Sequence, residues 1–287
     1  MKDAHKELIV QAIRTEMTEK NLSQNQWADM HGLGRSSMTN ILNKKNWSKV
    51  GDRTWTALYG KIQHILSTPK LYPTTNSQEI IRACEDAQQN NRVVSVVGYT
   101  GAGKTTTLKQ YASTHPNAYY LVCRSTFGVK DLVIQMAAVM GIQAKGGRTI
   151  DIEQAVIDEL TNTSKSLLII DSVSKLRKEA ALQFLGDLCE ATEQKAGIIL
   201  AGTEFFDEHM NKMVMRNKRG FREFNRRIYS WLKLPSFKSA SIQAEARAIC
   251  NNHGIFNQKQ IDIVLKGATC FGSLSNSIHR MLKATSN

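Results

Sequence analysis

The sequence predicts an α/β fold built on a parallel sheet, closed by a helical lid and preceded by an all-α helix-turn-helix domain. Three observations carry this expectation. Apolar, β-branched runs alternate with helical stretches between residues 78 and 234, the pattern of successive βαβ units. Residues 1–66 are helical in period, and the segment 67–77, STPKLYPTTNS, holds two of the four prolines among Ser, Thr and Asn, as a linker does. After Pro235 the spacing is helical again. The predicted domains are therefore 1–66 (helical), 67–77 (linker), 78–234 (α/β core) and 235–287 (lid).

Within the first domain, Ser23 is placed to cap a helix. Trp27, Ala28 and Met30 then share one helical side, Gly32 supplies a turn and Leu33 a plug. A second helix from Arg35 to Leu42 turns Met38, Ile41 and Leu42 inward. Arg35, Ser36, Ser37, Thr39 and Asn40 face outward, which suits contact with a DNA groove or its phosphates. A small helical bundle used for protein contact is the competing reading. Trp27, Trp47 and Trp55 are expected in the core.

The core opens on VVSVV (93–97), a buried-strand run, followed by Gly98, Tyr99, Thr100, Gly101, Ala102, Gly103, Lys104, Thr105 and Thr106. This is GxxxxGK[ST] between a strand and a helix, the flanks a phosphate-binding loop requires. Glycines let backbone N–H groups curl toward phosphate oxygens, and the helix adds its positive N-terminus. Lys104 is expected on the β- and γ-phosphates of ATP, and Thr105 on Mg²⁺. The runs AYYLVC, SLLIID and GIILAG supply further strands, with YSWLKL less distinct. SLLIID ends on Asp171, the place for a metal-holding carboxylate. Ser172 follows, where many such ATPases have a water-activating Glu. Hydrolysis is then slow, or Glu204 or Glu179 serves as base, or a partner completes the site. GIILAG leads to Thr203, placed to sense the γ-phosphate.

The formal net charge of the 287 residues is +13, and nine Lys and Arg against Glu223 alone put +8 of it in 209–240. Such a segment suits DNA phosphates or, through Arg226 or Arg227 just ahead of the last strand, a neighbouring subunit's ATP. With 41% apolar and 22% charged residues, disorder along the whole chain is excluded. Five cysteines without a CxxC pair read as buried thiols rather than a disulfide framework or zinc site. No signal peptide or membrane-spanning run is indicated, so no membrane partner is expected and the expected location is cytoplasmic.

Taken together, the helix-turn-helix pattern, linker, GYTGAGKTT, LLIID, IILAGTEFF, FREFNRRI and helical lid resemble the AAA+ target-selection ATPases of transposition. That resemblance covers nearly the full chain. It implies an ATP-dependent, sequence-nonspecific binder of double-stranded DNA that forms helical filaments in a bacterial or phage-infected cell. It implies delivery of target DNA to a transposase, which in turn stimulates ATP hydrolysis. By position, Lys104 and Thr105 would bind ATP and Mg²⁺, Asp171 the metal, Thr203 would be the sensor and Arg227 the finger acting in trans. Arg124, Lys130, Lys145 and Arg148 would contact DNA. Two positions depart from the family: Ser172, and Ser275 where a second sensor Arg is often found, with Arg280 displaced nearby. A repressor-like regulator with a nucleotide switch, and a helicase loader, are the alternative functions.

Overall fold

The computed structural model describes residues 3–19, 22–67, 73–143 and 147–285. Lys145 and residues 68–72 of the proposed linker lie outside them. The chain starts with helices α1 (Asp3–Glu19), α2 (Gln24–Met30) and α3 (Arg35–Leu42), a 3₁₀ turn (Lys44–Lys49) and α4 (Asp52–Ser67). Ile9, Ile13, Trp27, Met38, Ile41, Trp47, Trp55 and Leu58 form their shared core, so the three tryptophans are buried as expected. Ser23 and Gln26 bond reciprocally at the start of α2, its capping box. Met30 departs from expectation: it is 52% exposed, because α2 ends there and the chain turns away. The indole N–H of Trp27 donates to the buried Glu16 carboxylate at 2.9 Å, which offsets the cost of burying that charge.

α5 (Thr75–Asn90) begins inside the segment read as a linker, capped by Thr74. Five strands follow in the chain: β1 (Val93–Val97), β2 (Ala118–Val122), β3 (Leu167–Asp171), β4 (Gly197–Gly202) and β5 (Ile228–Lys233). Between them run α6 (Lys104–Thr114), α7 (Val129–Val139), α8 (Thr149–Asn162), α9 (Glu179–Ala191), α10 (Glu204–Met215) and α11 (Phe221–Arg227). The strands form one parallel sheet in the order β2-β3-β4-β1-β5.

Alternation along the strands feeds two cores. Val94, Val96, Ile169, Ile199 and Ala201 pack with Ile80, Cys84, Leu108 and Tyr111 of α5 and α6. Val93, Val97, Leu168, Ile170, Ile198 and Leu200 pack with residues of α7 to α11. Helices on both faces explain why β1, β3 and β4 are buried throughout. Ser95, the one polar residue within β1, donates its hydroxyl to the Leu200 carbonyl at 3.2 Å. β2 and β5 lie at the edges and are only partly buried, which is why YSWLKL is the least distinct run in the sequence.

Three helices close the chain: α12 (Ala240–Asn252), α13 (Gln258–Lys266) and α14 (Phe271–Thr285). Packing divides the described residues into two units, one of Pro73–Ile242 with Cys270–Gly272 and one of the remainder. No disulfide joins the cysteines; four are buried as expected, and Cys270 is only partly so. Among the described residues, no helix is long and apolar enough to cross a membrane.

Candidate functional site

The loop between β1 and α6 runs from Gly98 through Gly103 at the carboxyl end of the sheet, and Lys104 and Thr105 open α6. Gly101 and Gly103 hold φ of 83° and 91°, the left-handed region that glycine enters freely. At Gly101 there is a second constraint, since a Cβ would come within 2.4 Å of the Cys270 sulfur. The Phe271 N–H donates to the Gly101 carbonyl at 3.2 Å, so the start of α14 is tied to the loop. From the other side the buried Asn76 of α5 donates to the Ala102 carbonyl at 3.4 Å. The Lys104 ammonium donates to the carbonyls of Gly98 (2.5 Å) and Tyr99 (2.9 Å). Burial lowers its pKa, and Glu204 and then Asp171 oppose that shift.

Thr105, at the start of α6, donates its hydroxyl to Asp171 Oδ2 at 2.6 Å. Strand β3 delivers Asp171 to this point, 2% exposed. A threonine hydroxyl and a carboxylate in contact are hard oxygen donors that fit Mg²⁺, an ion usually held by few protein groups plus nucleotide phosphates. When bound, that ion supplies charge neutralisation on the phosphates. The same Oδ2 accepts from the Tyr120 hydroxyl at 2.8 Å. Burial, and next the bond to Asp171, push the Tyr120 pKa up, so it stays a neutral donor. Sequence reasoning missed Tyr120; its position at the centre of the AYYLVC run gave no sign that it reaches Asp171.

The water-activating side is less furnished. Ser172 has φ 62° and opens a short 3₁₀ turn, Val173–Lys175. Ser174 Oγ accepts the Thr203 N–H at 2.7 Å, which joins the exits of β3 and β4. Thr203 stands at the cap position of α10 without a side-chain capping bond. Glu204 is exposed on the first turn of α10, and it is the largest attractive charge acting on Lys104. Glu179 instead pairs with Lys218 at 3.4 Å.

Arg227 does not stand open to a neighbour. Its side chain is 10% exposed and pairs with Glu190 of α9 at 2.8 Å. Arg226 beside it is exposed. Both precede Ile228, which pairs with Val93 at the start of β1, whereas the phosphate loop follows Val97 at its end. Four residues of strand, about 13 Å, therefore separate this end from the subunit's own loop.

Arg124 and Lys130, at the exit of β2 and the start of α7, are exposed and have no ion-pair partner among the described residues. Arg148 is exposed but holds Asp151 through two hydrogen bonds of 2.9 Å. The exit of β3 adds Lys175, Arg177 and Lys178, all exposed. Lys178 Nζ lies 3.3 Å from where a Cβ on Gly128 would sit, beside the start of α7. Counting charges after LLIIDSVS would have found this KLRK run. In the N-terminal unit Arg35, Ser36 and Thr39 are exposed, while Ser37 and Asn40 are partly covered. Arg35 faces Asp29 at 3.4 Å.

A parallel sheet in this order, a phosphate loop and a strand-end carboxylate bonded to its threonine define a P-loop ATPase fold of the AAA class. The AAA domain family matches residues 87–210. The archaeal Walker-type ATPase of Pyrococcus abyssi shares the fold, with a TM-score of 0.52 over 77% of this chain and 76% of that one at 13% identity. Along 91% of its length the chain is similar, at 23% identity, to the Mu-like prophage FluMu DNA transposition protein B of Haemophilus influenzae, of which it covers 90%. Residues 87–210 thus form an AAA domain, which implies nucleotide binding, in a chain that is similar over most of its length to a transposition protein B.

Proposed function

We propose that this chain is an ATP-dependent, sequence-nonspecific binder of duplex DNA that assembles into helical filaments and delivers target DNA to a transposase. The observation that carries the reading is a juxtaposition: Lys175, Arg177 and Lys178 leave β3 within a few residues of Asp171, beside Arg124 and Lys130. Cations that pair with no acid among the described residues, set next to a nucleotide site, let phosphodiester contact and nucleotide state bear on the same loop. Likeness to a DNA transposition protein supports the choice of partner.

In this reading Lys104 grips the phosphates, Thr105 and Asp171 hold Mg²⁺, and Thr203 and Glu204 face the water. Ser172 cannot act as a base near neutral pH, so the lone subunit turns over slowly until a partner assists. The finger comes from the arginine-rich end of a neighbouring copy, with Arg226 in place of the internally paired Arg227. The helical domain adds DNA contacts through Arg35, Ser36, Ser37 and Asn40.

Electron microscopy with ATP and plasmid DNA is expected to show helical filaments, lost steeply as salt rises. Isolated monomers at high protein concentration would sink the proposal. The exposed Arg35, Ser36 and Thr39 of α3 favour a second reading, an operator-specific regulator. Footprinting on random DNA separates the two, because uniform protection is expected only of the first.

A further inference from the structure

We infer that Tyr120 is a positioning residue for the metal-binding carboxylate, holding Asp171 in the orientation that magnesium requires. β2 pairs with β3 so that Val122 lies opposite Asp171 and Tyr120 opposite Ile169. Side chains two residues apart share a face, so Tyr120 sits on the Asp171 side of the sheet and its phenol reaches forward along the strand. The Cys123 N–H donates to the Asp171 carbonyl at 2.8 Å, fixing the backbone of the same residue. Asp171 Oδ2 therefore receives two hydroxyls, at 2.6 Å from Thr105 and 2.8 Å from Tyr120.

These two donors differ in what a metal does to them. A threonine that becomes a magnesium ligand turns its oxygen to the ion. The tyrosine would then remain as the donor that holds Oδ2 and fixes the orientation of the carboxylate. Partners of this outer kind orient a ligating group and raise its affinity for the ion.

The inference rests on the reading of Thr105 and Asp171 as the metal pair, so the test separates the two. Tyr120→Phe removes one oxygen and keeps the ring. Binding of Mn²⁺ in the presence of ADP is followed by electron paramagnetic resonance, and nucleotide affinity in EDTA by a fluorescent analogue. For Tyr120→Phe the metal half-saturation is expected to rise about tenfold, with EDTA affinity and melting temperature unchanged. Unchanged metal affinity in Tyr120→Phe, while Asp171→Asn loses it, overturns the role of Tyr120 alone. If Asp171→Asn also binds metal normally, the metal pair itself is wrong. A fall in EDTA affinity matching the metal effect would show that Tyr120 shapes the loop and does not orient the carboxylate.

Discussion

The two ends of the sheet differ in how much one subunit can do by itself. At the carboxyl end the groups proposed to hold nucleotide are already assembled: Lys104 is held by loop carbonyls, and Thr105 and Tyr120 share one oxygen of Asp171. Near the amino end of β5, Arg226 stands exposed a strand's length from the subunit's own phosphate loop, and Arg227 is spent on Glu190. In the proposed function, binding is prepared within the chain, whereas hydrolysis is divided between chains. On that proposal, the protein remains loaded with nucleotide until assembly brings one end to the other.

The sharpest break would come at the prepared end. Lys104→Ala is expected to weaken nucleotide binding on the order of 100-fold, by loss of charged hydrogen bonds worth about 3 kcal/mol. ATP-dependent retention on DNA should vanish with it, as measured by filter binding. Retention that persists would show that nucleotide does not gate DNA binding.

At the divided end, Arg226→Ala should lower turnover of the assembled protein by roughly 100-fold, short of the 10³–10⁵ of an optimised finger, with ATP binding intact. Arg227→Ala should instead cost about 1 kcal/mol of stability, because the pair is half open on the Glu190 side, and change turnover less. Thermal melting beside turnover assays decides between them; the reverse pattern would return the finger to Arg227.

The smallest effect concerns the gap between the two. Ser172→Glu places a carboxylate after Asp171 and should raise basal hydrolysis about tenfold, below the 10²–10⁴ of a well-aimed base. A folded variant with unaltered basal rate would argue that another group, Glu204 foremost, already activates the water.

Features set by local chemistry were legible in the sequence. Glycines in the loop, the carboxylate ending β3, the interior strands and the Ser23 cap all follow from spacing and side-chain type. Features that need two distant segments to meet were not. The Arg227–Glu190 pair depends on how α11 packs against α9, and the Tyr120–Asp171 bond on the register of an edge strand. The contact of Cys270 with Gly101 joins segments far apart in the chain, so five apolar-looking cysteines read alike. Met30 failed for a simpler reason: helical spacing does not foresee where a short helix stops.

One feature of the fold has a mechanical consequence. Near its carboxyl end α5 lies so close to the start of β4 that a Cβ on Gly197 would come 2.3 Å from the Ala87 carbonyl. At its other end Asn76 grips the Ala102 carbonyl of the phosphate loop. Between these two contacts the helix runs about 17 Å, from one rim of the sheet toward the other. The helix thus couples the foot of β4 to the phosphate loop through contacts at both of its ends.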